Sequence, residues 1–238
     1  MLLKNLEKLI VANKTLDLPN EKLLITTLNA HSYNVAKSDA GFLKALQSSD
    51  VLLADGIGVV LGYRLLGKSV QKMAGADLFY YEMNRLQAMK GTCFFLGSSN
   101  ETLGKIKSRA TIEFPDVKIH HYSPPFSSNF SVEVNLQMIE AINLVQPDVL
   151  FVGMTAPKQE KWAYSIKKEL NVGHICCIGA VFDFYAGTVK RPPQWMIGLG
   201  LEWLGRLISE PQRLWKRYLI SSPVILLDTL RHKISSRK

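Results

Sequence analysis

The sequence predicts an α/β fold: a Rossmann-like parallel sheet with helices on both faces, continued by a basic helical C-terminal appendage. Two patterns point to the sheet. Short apolar runs recur along the chain, most of them ending in glycine or a polar residue, and stretches of helical periodicity separate one run from the next. The charge distribution sets the appendage apart. Residues 190–238 hold ten lysines and arginines against three acids, whereas residues 1–189 hold nineteen against seventeen. A basic segment on a nearly neutral body suggests an anionic partner: phosphate, nucleic acid or a membrane surface. The division expected is a Rossmann-like domain over residues 1–193 and an appendage over 194–238.

With 238 residues, 47% of them hydrophobic, the chain can bury a sizeable core, which speaks against disorder. It has no uninterrupted run of about 18 apolar residues, so no spanning helix is expected. Lys4, Glu7 and Lys8 interrupt an N-terminus that does not read as a signal peptide. Cys93, Cys176 and Cys177 form no C-x-x-C pair, so buried thiols in a cytosolic protein are expected and a zinc site is not.

Taken in order, residues 1–13 have helical spacing, with Leu2, Leu6, Leu9 and Ile10 on one side. Leu23 to Leu28 reads as the first strand, followed by one helix from about Ser32 to Gln47. Asp50 to Ala54 is the second strand, Gly56 to Leu66 a helix, and Gly75-Ala76-Asp77 opens another that runs to about Met89. Thr92 to Gly97 is a buried strand with a helix after it to about Glu113. Val117 to His121 is a strand, Ser123 to Ser131 a loop marked by Pro124-Pro125, and Val132 to Val145 a helix. Asp148 to Gly153 and His174 to Ile178 are strands flanking a helix from Pro157 to Leu170. Beyond Asp183 the texture changes to a proline-marked loop, then to apolar helical spacing from Trp195 to Ser209, Pro211 to Leu219, and a last helix opened by Pro223.

Ligands of open α/β sheets bind beyond the carboxyl ends of the strands, so the residues there carry the functional argument. Asp55 follows the second strand and could act as a general base, a sugar or ribose ligand, or a metal ligand; it could equally cap the following helix. Thr27 and Asn29 end the first strand, where ligand contacts compete with capping and turn chemistry. Asp77 sits where free helix N–H groups could hold an anion or a sugar hydroxyl, or it could simply cap. Lys158 or Gln159 could meet phosphate oxygens, with Glu160 capping its helix or orienting a neighbour. Asp183 could bind a ribose or base edge, or fix the loop after it. No G-x-G-x-x-G and no P-loop lysine is present, so neither NAD nor ATP is expected. His31, His120, His121, His174 and His232 lack metal-ligand spacing and read as structural. Arg191, Arg206, Arg213, Lys216 and Arg217 suit phosphate contacts. The interleaved Trp203, Trp215 and Tyr218, with the Leu and Ile content of these helices, favour an anionic membrane surface over nucleic acid.

Several of these stretches occur together in one family. They are Thr27-Leu28-Asn29, Ala54-Asp55-Gly56-Ile57-Gly58-Val59, Gly75-Ala76-Asp77-Leu78, Phe95-Leu96-Gly97, Pro157-Lys158-Gln159-Glu160 before Trp162, and Gly179-Ala180-Val181-Phe182-Asp183-Phe184. Arg191, Pro193 and Trp195 follow, then Gly200-Leu201-Glu202-Trp203, Arg206-Leu207 and Glu210-Pro211 with Arg213. In these the chain resembles the WecG/TagA/CpsF family of bacterial glycosyltransferases. The resemblance implies an inverting transferase that moves an N-acetylmannosamine-type sugar, or its uronic acid, from a UDP donor. The acceptor implied is undecaprenyl-diphosphate-linked N-acetylglucosamine, in cell-surface polysaccharide or teichoic acid synthesis, with no metal or cofactor. It further implies a peripheral enzyme on the inner face of the bacterial cytoplasmic membrane, held there by its appendage. Asp55 would then be the base; Thr27 and Asn29 would position sugar hydroxyls, and Gln159 and Asp183 would hold the nucleotide. The basic group would offset charge on the departing UDP. The chain departs from the family at Gln71-Lys72-Met73, where many relatives carry arginine and Lys72 would act as a point charge, and at Lys216, where arginine is common. A non-catalytic UDP-sugar-binding or membrane-associated scaffold of the same fold is the alternative, and a homo-oligomer stays open.

Overall fold

A computed structural model describes residues 2–6, 11, 16–189, 193, 195–196, 202–209, 211–215 and 221–235, except for the side chains of Lys4, Glu202, Trp203, Arg206 and Arg213. Six strands form one parallel sheet: β1 Leu23–Leu28, β2 Val51–Ala54, β3 Thr92–Gly97, β4 Lys118–Tyr122, β5 Val149–Gly153 and β6 His174–Cys177, in the order β2-β1-β6-β5-β3-β4. The α/β sheet read from the alternating pattern is therefore present. In register, Leu28 lies opposite Ala54 and Gly97 opposite Gly153, so the carboxyl ends align along one edge. The chain reverses its direction across the sheet beside β1 and β6 and again beside β3 and β5, which opens crevices at that edge.

The inner strands are largely apolar because helices cover both faces, whereas the edge strand β4, Lys-Ile-His-His-Tyr, has no fully buried residue. Period-two alternation sorts their side chains. Cys93, Phe95, Phe151 and Cys176 pack toward helices α5 (Gly75–Met89), α6 (Asn100–Glu113) and α9 (Val181–Tyr185). Phe94, Leu96, Leu150, Val152 and Cys177 pack toward α7 (Val132–Val145) and α8 (Lys158–Ile166). A third apolar cluster, at the β2 edge, joins α1 (Leu2–Leu6), α2 (Ala30–Ser38), α3 (Ala40–Gln47) and α4 (Ile57–Leu65). All three cysteines are free and buried. Burial pushes the Cys176 and Cys177 thiols well up, so they act as small apolar groups.

Two elements differ from the sequence reading. The single helix expected over 32–47 is two, α2 and α3, because Asp39 breaks the run. Its carboxylate accepts from the Phe42 N–H at 2.9 Å and starts α3, while its own N–H closes α2 on the Val35 carbonyl. The sequence reading has no helix between the strand ending at Ile178 and Trp195; the structure has α9 there, whose Phe182 is buried against Phe95 of β3 and Gly153 of β5. Of the C-terminal segment, α10 (Glu202–Ser209), α11 (Pro211–Trp215) and α12 (Ser221–Ser235) are described. Helix α12 packs on α2 and α4: Ile225 and Thr229 are fully buried, and Tyr33 Oη donates to Asp228 at 3.1 Å. Among the described residues no helix is long and apolar enough to cross a membrane.

Candidate active site

A single cavity of about 1480 Å³ lies along the carboxyl edge of the sheet. Pockets for one small ligand hold about 300–1,000 Å³, so this one has room for two ligands side by side. Its wall takes residues from the ends of all six strands: Thr27 near the end of β1 and Asn29 just after it, Asp55 after β2, Gly97 ending β3, Tyr122 ending β4, Gly153 ending β5 and Gly179 after β6. Ser222 and Pro223, at the start of α12, close one side. The loop over residues 123–130 closes another, with Phe126 fully exposed at its tip.

Local geometry explains how each side chain is held. Asp55 is placed by a backbone bond from its N–H to the Leu28 carbonyl of the neighbouring strand, 2.9 Å long. Gly56 follows with φ +100°, a conformation that glycine adopts at no steric cost, and turns the chain directly into α4. Asn29 caps α2 through the Ser32 N–H at 2.9 Å and still lines the cavity, so the capping and ligand readings coexist. Gln159 and Glu160 are buried in the first turn of α8; Gln159 accepts from the Met154 N–H at 3.3 Å and donates to Glu160 at 2.8 Å. Asp183 lines the cavity, while its carbonyl accepts from the Thr188 and Val189 N–H groups and fixes the loop after α9.

The structure thus brings Thr27, Asn29, Asp55, Lys72, Gln159 and Asp183 to one cavity. It does not bring Asp77 there. That carboxylate lies three residues into α5 and accepts from the Ala74 N–H at 2.7 Å, which spends it on the helix start. Arg191, Lys216 and Arg217 lie outside the described residues, as do the side chains of Arg206 and Arg213. The sequence reading missed the loop at 123–130 and the start of α12 as walls. Only the Pro124-Pro125 pair hinted at the first, and nothing local could have shown the second.

The titratable side chains of the cavity wall are mixed: Asp55, Glu160 and Asp183 with Lys72, Lys158 and His31. Lys158 stands 3.5 Å over the Phe130 ring and donates to the Ser127 carbonyl, so it also pins the loop. Partial burial holds its ammonium below the usual lysine range. Burial pushes the Glu160 carboxyl up to about 7.

A carboxylate at a strand end, amide and hydroxyl side chains on the same cavity wall and room for two ligands are features expected of a group-transfer site on an open α/β sheet. The chain belongs to the glycosyl transferase WecG/TagA/CpsF family, whose profile matches residues 4–238. It is 33% identical over 215 residues to the N-acetylglucosaminyldiphosphoundecaprenol N-acetyl-beta-D-mannosaminyltransferase of Bacillus subtilis (strain 168), covering 88% of this chain and 80% of that one. Proteins of the same name are similar in Bacillus spizizenii, 31% identical over 92% of this chain and 83% of that one, and in Staphylococcus aureus strain MW2, 25% identical over 91% and 83%. The glycosyltransferase expected from the motifs is therefore what the chain is.

Proposed function

We propose that the protein transfers an N-acetylmannosamine-type sugar, with inversion, from a UDP donor to undecaprenyl-diphosphate-linked N-acetylglucosamine, in cell-surface polysaccharide or teichoic acid synthesis. The observation that carries this reading is Asp55 in the wall of a two-ligand cavity, in a chain whose relatives bear that transferase name over most of their length. Inversion needs one base. Asp55 takes the proton of the acceptor hydroxyl as its oxygen bonds to the anomeric carbon, and the bond from that carbon to UDP breaks on the opposite side. Thr27 and Asn29, beside Asp55 at the end of β1, are suited to sugar hydroxyls; Gln159 of α8 and Asp183 of α9 are suited to the nucleotide. Lys72 lies on the cavity wall as a point charge. Negative charge gathering on UDP is offset by Arg191, Arg206, Arg213, Lys216 and Arg217 from the basic C-terminal segment.

The acceptor is lipid-linked, so the site works at the inner face of the cytoplasmic membrane. Exposed Trp195, Ile208 and Ile234 in the basic segment support a peripheral contact with anionic lipid. The deciding experiment measures UDP release from UDP-N-acetylmannosamine, with and without lipid-linked N-acetylglucosamine, in wild type and Asp55→Asn. Acceptor-dependent release that falls by about 10²–10⁴-fold in the variant is expected. Unchanged release in Asp55→Asn would remove it as the base, and UDP binding without transfer to any lipid acceptor would favour a non-catalytic scaffold.

A further inference from the structure

Glu160 has a place in the cavity wall that base, sugar contacts and arginines leave unexplained. It is 1% exposed. Its Oε1 accepts the bond from Gln159 Nε2, and its Oε2 has no hydrogen-bond partner among the described residues. Gln159 Oε1 accepts from the Met154 N–H. The Gln159 amide is thus held at both ends: flipping it would set its NH₂ against the Met154 N–H and its oxygen against Glu160 Oε1. One N–H remains, a donor for an oxygen on a ligand. An ionised Glu160 would be a buried carboxylate with one hydrogen bond from another side chain and, among the described residues, no cation paired with it, a state that proteins relieve by taking up a proton. Burial raises its carboxyl to about 7 against the opposing hydrogen bonds of Gln159 and its own backbone N–H. The titratable groups sharing the cavity include His31, Asp55, Lys72, Lys158 and Asp183. Behind Glu160, from β6, faces the Cys177 thiol, pushed up by burial and by Glu160 itself.

We propose that Glu160 is a positioning residue for the donor, fixing the Gln159 amide toward the cavity, and that the anionic UDP-sugar binds with Glu160 protonated. This rests on the cavity being the UDP-sugar site. The proton comes from solvent and sits on Oε2, which leaves Oε1 as the acceptor for Gln159. The diphosphate then meets a neutral neighbour rather than a third carboxylate charge beside Asp55 and Asp183. Binding takes up as much as one proton, so affinity falls as pH rises above the free protein's Glu160 value, by at most about tenfold per pH unit.

The test is calorimetric titration of the full chain with UDP-N-acetylmannosamine, in buffers of different ionisation enthalpy, between about pH 6 and 8.5, where the diphosphate diester does not titrate. Wild type should take up a proton on binding, and its Kd should rise with pH. Glu160→Gln, uncharged at every pH and still carrying an acceptor oxygen, should show a flat Kd and no uptake. His31 is the other cavity side chain of a type that gains charge near neutrality. Uptake that survives Glu160→Gln, or that vanishes in His31→Asn, would overturn the proposal; the second variant decides it if the first does not fold. A flat Kd in wild type would overturn it and leave the cavity a UDP-sugar site. Absence of binding at every pH, in a protein folded by circular dichroism, would overturn the donor assignment and the proposal with it.

Discussion

Gly153 ends β5 directly beneath the Phe182 ring, and a Cβ there would lie 2.2 Å from the ring. The ring cannot yield, since Phe182 is buried in the same apolar cluster as Phe95 and Phe151 and sits one residue before Asp183. Gly153→Ala should cost about 1–3 kcal/mol in urea unfolding, the range for overpacked cores. It should also raise the KM for the donor, because the displaced α9 carries Asp183. At this scale much of the site was legible in the sequence. Thr27, Asn29, Asp55, Lys72, Gln159 and Asp183 were all singled out and all line the cavity. Asp77 shows why the rest was not. Its type and position suit a ligand as well as a helix start, and only the bond to the Ala74 N–H assigns it.

Among the elements, the junction of α2 and α3 turns on one carboxylate. Asp39 accepts from the Phe42 N–H and pairs with Lys161 of α8 at 3.0 Å. The Phe42 backbone bond first, then the Lys161 ammonium, hold its carboxyl below the usual range. A carboxyl lowered in the folded state contributes stability that is present above its unfolded value and lost as pH falls through the folded one. Asp39→Ala should therefore destabilise by about 1 kcal/mol at neutral pH, the usual worth of an N-cap. Its difference from wild type should shrink in thermal melts at acid pH. The strands were legible to within a residue or two because most are short apolar runs, the edge strand β4 excepted. The break at Asp39 was not, because helical periodicity continues across it and only a cap bond marks the division.

For the whole molecule, the question is what the C-terminal segment does. Removal of the residues after Pro193 should abolish liposome association and transfer together. The packing of α12 adds that the truncation should also lower the melting temperature, since it strips Ile225 from the apolar cluster at the β2 edge and Ser222 from the cavity wall. Ile225→Ala separates the effects. It should cost about 2–5 kcal/mol in denaturant unfolding and leave liposome association intact; loss of that association as well would mean that α12 docking itself presents the membrane-binding surface.

The sequence by itself determined the fold class, the uneven charge and the strand-end residues that can carry chemistry. These rest on local regularities: period two or 3.6 in apolar residues, and glycine or a carboxylate where a run stops. Tertiary structure alone decided the strand order β2-β1-β6-β5-β3-β4, and with it which strand ends share a cavity. It also decided that Asp77 faces its own helix start, that Glu160 is buried with one oxygen unpaired, and that Ser222, far along the chain, walls the site of Asp55. The physical reason is the same for all three. Pairing and packing between residues distant in the chain are set by the sum of the core's contacts, and no local stretch contains that sum.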